Sequence, residues 1–459
     1  MPNYKLVYFN ARGRAEPARI LFYLKGQDFV DDRFSYEDWP KLKENKKEFP
    51  MGKGPILHID TAVIPQSRAI WRYLGKKFGY FGRTEMEEAK NDVIIETVTD
   101  IELKMMPHYL ATDDAKRAEL IQAFKDTTSK PFYHYLSDEV KANGGKYFVG
   151  NEISLADIVV FNHLDIMTDS TYKIEGVLDQ YPNLVAFYEA FREDPRIKSY
   201  IEKRPTTSAC IHCHGLHAHC TSLVNVAPVQ SSQQLPVSRR LRSSGLYTTI
   251  TMPRFTVKYF DARGRAEPTR MLLTLAKVDF ADDRFTQEEW AKIKDDKKLF
   301  PLGQAPVLIV DGKTIPHSRA MARFVALEYD LCGKTNAEKA HVDVVLETGS
   351  EIEQKLRPIF TEQDPEKKVE AVKAFKEGIV RQMKYFVELL KENGGKYFVG
   401  KGPTLADAMT FNFLDILTTS KYKVDGLLDP YPELQEYMRH FREESPLKSY
   451  FASRPQTDS

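Results

Sequence analysis

Apolar and polar positions change rhythm along the chain, and the change happens twice. From Lys5 to Phe9 they alternate as in a strand, and a helical spacing follows from about Ala15 to Leu24. Phe29 to Phe34 reads as a second strand, followed by a polar, lysine-rich segment that holds Trp39 and Lys43. Pro55-Ile56-Leu57-His58-Ile59-Asp60 reads as a strand entered through proline, with Asp60-Thr61 a weak turn after it. Ile64-Pro65-Gln66-Ser67 then leads into a helix over 67–77, for which Ser67 is the expected N-cap. Beyond Thr84 strand signals nearly vanish. Residues 85–109 and 115–143 carry helical periodicity, Ser154-Leu155-Ala156-Asp157 opens an apolar helix as a capping-box variant, and further helices fill 182–201. An α/β layer is therefore followed by an all-helical part.

The same succession returns 251 residues later. Tyr8-Phe9-Asn10-Ala11-Arg12-Gly13-Arg14-Ala15-Glu16-Pro17 reappears as 259–268 with only Asn10 changed, to Asp261. Trp39 and Lys43 return as Trp290 and Lys294, and Asp311-Gly312 supplies a strong hairpin turn where the first copy has Asp60-Thr61. Asn143 to Gly150 returns unchanged at 393–400, and Ser154 to Asp157 returns as Thr404 to Asp407, so the offset has dropped to 250. A period this long is a duplicated domain-scale protein and not a solenoid, whose repeats run to about 20–50 residues. The expected organisation is an α/β domain at 1–80, a helical domain at 83–205, a linker at 206–252, a second α/β domain at 253–331 and a second helical domain at 334–455.

The repeated decapeptide is a strand end, a tight turn and a helix start. Gly13 and Gly264 allow the bend, and Pro17 and Pro268 suit a first helical turn. Free N–H groups and the helix dipole favour an anion there, and Tyr8 or Tyr259 could present its hydroxyl to whatever binds. A buried core tyrosine beside a structural turn fits the same pattern.

Charge narrows the partners. Lys plus Arg number 66 and Asp plus Glu 65, a balance that does not point to nucleic acid or a membrane surface. No apolar run approaches the roughly 18 residues of a membrane span, and the charged, strand-like N-terminus has no signal-peptide core. Four cysteines do not form a disulfide framework in so long a chain, and a cytoplasmic location is expected. The linker is rich in Ser, Thr, Pro and Gln. It opens with three cysteines and four histidines between Cys210 and Cys220. Their spacing is not that of a standard zinc finger, and no apolar residues nearby would core one, so a specific metal site is not expected.

Taken in order, these anchors carry a resemblance. Tyr-Phe-x-x-Arg-Gly-Arg-Ala-Glu, Trp39-x-x-x-Lys43, Pro55-Ile56-Leu57, Gln66-Ser67 and the Ser-x-x-Asp box make each copy resemble a cytosolic glutathione transferase. The likeness is greatest to the sigma class, which includes haematopoietic-type prostaglandin D synthases and invertebrate enzymes. The resemblance implies a thioredoxin-like N-terminal domain and an all-helical C-terminal domain, twice. It also implies glutathione as co-substrate. Tyr8 and Tyr259 would donate to the glutathione sulfur and stabilise its thiolate, the nucleophile. Arg14 and Arg265 would steady the site beside them.

For the rest of glutathione the resemblance implies Trp39 and Lys43, or Trp290 and Lys294, at the glycine end. Lys53 and Gly54, or Gln304 and Ala305, would offer backbone to the cysteinyl part, before a cis-proline, Pro55 or Pro306. Gln66 with Ser67, or His317 with Ser318, would hold the γ-glutamyl carboxylate. Asp100, or Glu351, would reach the γ-glutamyl amine of the partner subunit's ligand. His317 in place of Gln66 and Glu351 in place of Asp100 keep hydrogen-bonding ability, so the second copy is expected to bind with altered affinity. The acidic cluster that vertebrate prostaglandin D synthases use for a divalent metal is reduced here to Glu96, Thr99 and Asp100, so no metal is expected to be required.

The expected activity is conjugation of glutathione to hydrophobic electrophiles at two sites per chain. A glutathione-dependent prostaglandin-D-type isomerase and a non-enzymatic crystallin-like or ligand-binding relative are the alternatives. The family pairs two-fold, so the chain is expected to form a homodimer or to fold its two copies into an intramolecular pseudo-dimer.

Overall fold

The computed structural model describes residues 2–168, 173–207 and 254–457. The 206–252 linker, with its Cys/His-rich start, lies almost wholly outside them. In the first copy β1 (Tyr4–Phe9), β2 (Val30–Phe34), β3 (Ile56–Ile59) and β4 (Ala62–Pro65) form one sheet in the order β2-β1-β3-β4. β1 runs parallel to β2, Phe9 opposite Phe34, and antiparallel to β3, Val7 opposite Ile56. The second copy repeats this with β5 (Phe255–Phe260), β6 (Phe280–Phe285), β7 (Val307–Val310) and β8 (Lys313–Pro316), in the order β6-β5-β7-β8. Both hairpins form: Asp60 and Asp311 take positive φ at the turn, so the weaker Asp60-Thr61 signal closes as tightly as Asp311-Gly312.

The first copy's helices are α1 (Glu16–Lys25), α2 (Trp39–Leu42), α3 (Ser67–Phe78), α4 (Glu85–Leu110), α5 (Asp114–Ala123), α6 (Lys130–Ala142), α7 (Leu155–Thr168), α8 (Pro182–Glu193) and α9 (Pro195–Lys203). The second copy's are α10 (Glu267–Leu275), α11 (Gln287–Ile293), α12 (Ser318–Glu328), α13 (Asn336–Gln354), α14 (Arg357–Thr361), α15 (Pro365–Glu392), α16 (Leu405–Thr419), α17 (Pro432–Glu443) and α18 (Lys448–Ser453). Each copy is thus a thioredoxin-like α/β domain followed by an all-helical domain.

One expectation fails in an informative way. The helical stretch over 115–143 is broken, with a π-helical turn, Phe124–Thr128, between α5 and α6. The second copy runs through the same region as the single helix α15. Buried Phe124 and Phe375 are 251 residues apart, whereas buried Tyr135 and Tyr385 are 250 apart. The first copy therefore has one extra residue between two anchored core positions, and the π turn absorbs it without rotating either anchor off its face.

The capping-box carboxylates tie loop to helix. Asp157 accepts from Phe148 N (2.7 Å), Ser154 N (2.7 Å) and the Ser154 hydroxyl (2.6 Å). Asp407 repeats all three bonds with Phe398 and Thr404. A second buried knot joins the two domains of each copy. Arg12 and Arg204 both donate to Asp165, and Arg263 and Arg454 both donate to Asp415. These bonds clamp the turn after β1 or β5 to the helical domain.

The two copies pack against each other, α3 on α13 and α12 on α4. At the centre lie two buried arginines among four carboxylates. Arg72 donates to Asp92 (2.7 Å), Glu96 (2.8 Å) and Glu347 (3.1 Å). Arg323 donates to Asp343 (2.9 Å), Glu96 (3.0 Å) and Glu347 (3.3 Å). Burial opposes charge here, but the facing carboxylates overcome it and raise both guanidinium pKa values. The guanidinium groups likewise hold Glu96 well below the carboxylate range against its own burial.

Candidate functional site

Each candidate site starts at the turn that follows the central strand. Tyr8 is the last residue but one of β1 and is buried. Its hydroxyl accepts from the backbone N–H of Arg14 (3.4 Å), in the 3₁₀ turn Gly13–Ala15 that leads into α1. Tyr259 stands equivalently over Gly264–Ala266, with Arg265 N at 3.5 Å. The glycine is needed on two counts. Gly13 has φ of +46°, and a Cβ there would sit 3.0 Å from the tyrosine oxygen; at Gly264 the values are +42° and 2.8 Å. The side chains of Arg14 and Arg265 are exposed at the rim. The Arg14 backbone carbonyl accepts a bond from the Trp71 indole N–H (2.9 Å), a prop the second copy lacks because Ala322 stands there.

The peptide bonds Gly54–Pro55 and Ala305–Pro306 are both cis. In the first copy the backbone before the proline lies against the tyrosine: a Cβ on Gly54 would lie 3.2 Å from the Tyr8 ring. The second copy carries such a Cβ at Ala305, and Tyr259 is half-buried where Tyr8 is buried. On the far side of the strand end, Trp39 stacks on Phe34 (5.4 Å, 10°) and Trp290 on Phe285 (5.4 Å, 12°). Lys43 and Lys294 cap the short helices behind these rings, and among the described residues neither ammonium has an ion-pair partner. Gln304 is exposed, while Lys53 reaches out of its own copy.

At the start of α3 the expected cap is corrected. Gln66, not Ser67, is the N-cap, because Gln66 takes φ of +72° and turns the chain before the helix begins. Ser67 is the first helical residue and is buried, with the helix N-terminus around it. His317 and Ser318 reproduce this at α12, His317 with φ of +65°.

From these caps both side chains cross to the other copy. Gln66 Nε2 donates to Glu351 Oε1 (3.1 Å). Glu351 also pairs with Lys53 (2.9 Å) and accepts from Gln382 (2.9 Å). Burial would raise the Glu351 pKa, but Lys53 and the two amides hold it below the usual range. In the opposite site His317 Nε2 meets Thr97 Oγ1 (2.9 Å), and its Nδ1 lies 3.9 Å from Asp100 Oδ2. The predicted residues 66, 53 and 351 are thus brought together at one site, and 317 and 100 at the other.

Thr97, Gln382 and the Arg72/Arg323 centre escaped the sequence reading. The signal was present for the last: Arg72, Asp92 and Glu96 all return at the 251-residue offset, and Asp92 and Glu96 are spaced for one helical face. Glu96 faces arginines, Thr99 donates to Ile95 O (2.8 Å), and Asp100 faces His317. Among the described residues no group of three or more His, Cys, Asp or Glu side chains is placed to hold a metal ion. No helix among them is long and apolar enough to cross a membrane.

Comparison with known proteins follows the same division. The glutathione S-transferase N-terminal domain family matches residues 4–76 and 255–327, and the C-terminal domain family matches 99–204 and 350–454. Hematopoietic prostaglandin D synthase of Gallus gallus is 37% identical over 211 residues, which is 45% of this chain and all of that protein. Glutathione S-transferase 3 of Caenorhabditis elegans is 36% identical over 214 residues, 45% of this chain and 99% of the relative. S-crystallin SL11 of Nototodarus sloanii is 34% identical over 211 residues, 45% of this chain and all of the relative.

Proposed function

The chain belongs to the glutathione S-transferase family, with both of its domains present twice, and from that premise we propose that it conjugates glutathione to hydrophobic electrophiles at two sites. The observation that carries the proposal is the tyrosine hydroxyl held over a helix-initiating glycine turn in both copies. The Arg14 or Arg265 amide donates to that oxygen, and the phenolic O–H is the group that would donate to a sulfur. A hydrogen bond to the charged form favours thiolate over thiol, and the thiolate attacks the electrophilic carbon.

The same reading extends to the rest of glutathione. Lys43 and Lys294 supply unpaired charge for the glycine carboxylate, and the cis-proline backbones face the cysteinyl part. The N-termini of α3 and α12, at Ser67 and Ser318, receive the γ-glutamyl carboxylate. Glu351 and Asp100 answer the amine from the opposite copy. In this reading the functional unit is the intramolecular pair of copies, residues 1–80 and 83–205 against 253–331 and 334–455. It works without a metal, in the cytoplasm, where thiols stay reduced.

The test is conjugation of glutathione to 1-chloro-2,4-dinitrobenzene by the parent chain, Tyr8→Phe, Tyr259→Phe and the double variant. Each single change should remove part of the rate and the double nearly all of it. A rate untouched by the double change would refute the assignment. A second reading has support from the 37% identity to a hematopoietic prostaglandin D synthase. A parent chain that binds glutathione but does not conjugate would favour it, and turnover of a prostaglandin endoperoxide would then decide between isomerase and a non-enzymatic relative.

A further inference from the structure

The two sites differ most where Gln66 is replaced by His317, and hydrogen-bond geometry fixes what the replacement does. Thr97 has one hydroxyl proton, and it goes to Val93 O at 2.7 Å. The 2.9 Å contact between Thr97 Oγ1 and His317 Nε2 must then be donated by the ring. In the neutral ring this places the proton on Nε2 and leaves Nδ1 as a bare acceptor, 3.9 Å from the Asp100 carboxylate. Two acceptors side by side suit a cation with protons to give, such as an ammonium. A proton on Nδ1 would instead make an imidazolium that pairs with Asp100 and fills that place. The first site has no such device: Gln66 does not titrate, and Lys53 and two amides favour the charged form of Glu351, which can meet the amine without a histidine beside it.

We infer that His317 makes ligand binding at the second site proton-dependent. The neutral ring offers Nδ1 and Asp100 to the ligand's ammonium, and the imidazolium takes Asp100 for itself and turns the ammonium away. This rests on the transferase reading. The groups facing the ring are Asp100 and Glu96 from α4, Arg265 from the 3₁₀ turn and Arg319 from α12. Burial lowers the ring's pKa below the ordinary histidine value, the arginines act in the same direction and the two carboxylates oppose them. The ring is therefore neutral at pH 7, and binding weakens as pH falls through the lowered pKa.

The test uses the full chain with Ser67→Asp, which sets a carboxylate at the N-terminus of α3 and silences the first site. S-methylglutathione is titrated calorimetrically from pH 7.5 to 5.0, a window in which its ammonium stays protonated. The dissociation constant should rise by about threefold or more in Ser67→Asp and by under about 1.5-fold in Ser67→Asp/His317→Gln. Equal pH dependence in the two variants, or none in the first, would overturn the inference. Failure of the unmodified chain to bind at any pH would sink the transferase reading instead. Should Ser67→Asp not fold, nitrogen NMR of the [¹⁵N]histidine-labelled parent chain decides. The inference requires an Nε2-protonated neutral ring at residue 317 whose pKa falls on saturation with S-methylglutathione. An Nδ1-protonated ring or an unmoved pKa refutes it.

Discussion

Gly13 shows how closely a single position is constrained. Its φ of +46° costs an L-residue about 1–2 kcal/mol, and an added methyl would meet the Tyr8 oxygen at 3.0 Å. Gly13→Ala should therefore lower stability by about 1–2 kcal/mol in urea denaturation and lower the Tyr8-dependent share of conjugation with it. An unchanged rate would mean the hydroxyl position is not critical. At this scale the sequence was most readable where the backbone needs a special residue: Gly13, Pro55 and their counterparts carry their reasons in their chemistry. It misled at Ser67, because cap statistics favour serine, while Gln66 occupies the cap through a positive φ that no propensity for glutamine announces. The partner of Gln66 was also hidden, since Glu351 lies 285 positions away and only the fold joins them.

Among elements, order and type were legible because strand alternation and helical spacing differ so plainly. The break at Phe124–Thr128 was not, since its cause is one residue more than the matching helix has, visible only as a slipped offset between copies. Deleting Thr128 should let α5 and α6 join as α15 does, with stability changed by less than about 1 kcal/mol. Deleting Val140 from α6 would instead rotate the buried face and unfold the domain. Thermal unfolding of both variants checks this, and equal damage from the two deletions would refute it. The capping-box carboxylate carries more. Asp157→Ala removes three bonds and leaves Phe148 N and Ser154 N buried without an acceptor, which should cost about 3 kcal/mol or more by chemical denaturation.

Across the whole molecule the two copies are joined by more than the chain. Arg72 and Arg323 lie 1% and 3% exposed among Asp92, Glu96, Asp343 and Glu347. Removing one arginine strands buried carboxylates, so Arg72→Ala should cost about 3–5 kcal/mol. The paired state should outlast the covalent link: a protease site placed within 208–253 and cut should leave two fragments that elute together and keep the parent's conjugation rate. Separation of the fragments would show that the linker alone holds the copies. Domain order and duplication were legible from repeated motifs, but this interface was not. Charged residues on a helix read as a solvated face until a second helix is seen against them.

The crossed contacts at Gln66–Glu351 and His317–Asp100 have one more consequence. In a dimer of identical subunits any change at the shared boundary is made twice, once on each side of the axis, and both sites must tolerate it. Here each side is encoded separately. Lys53 faces Glu351 while its counterpart Gln304 is exposed, and a histidine stands where the other copy keeps glutamine. Duplication inside one chain frees each half to vary alone, so that one site can be tuned while the other keeps its original partners.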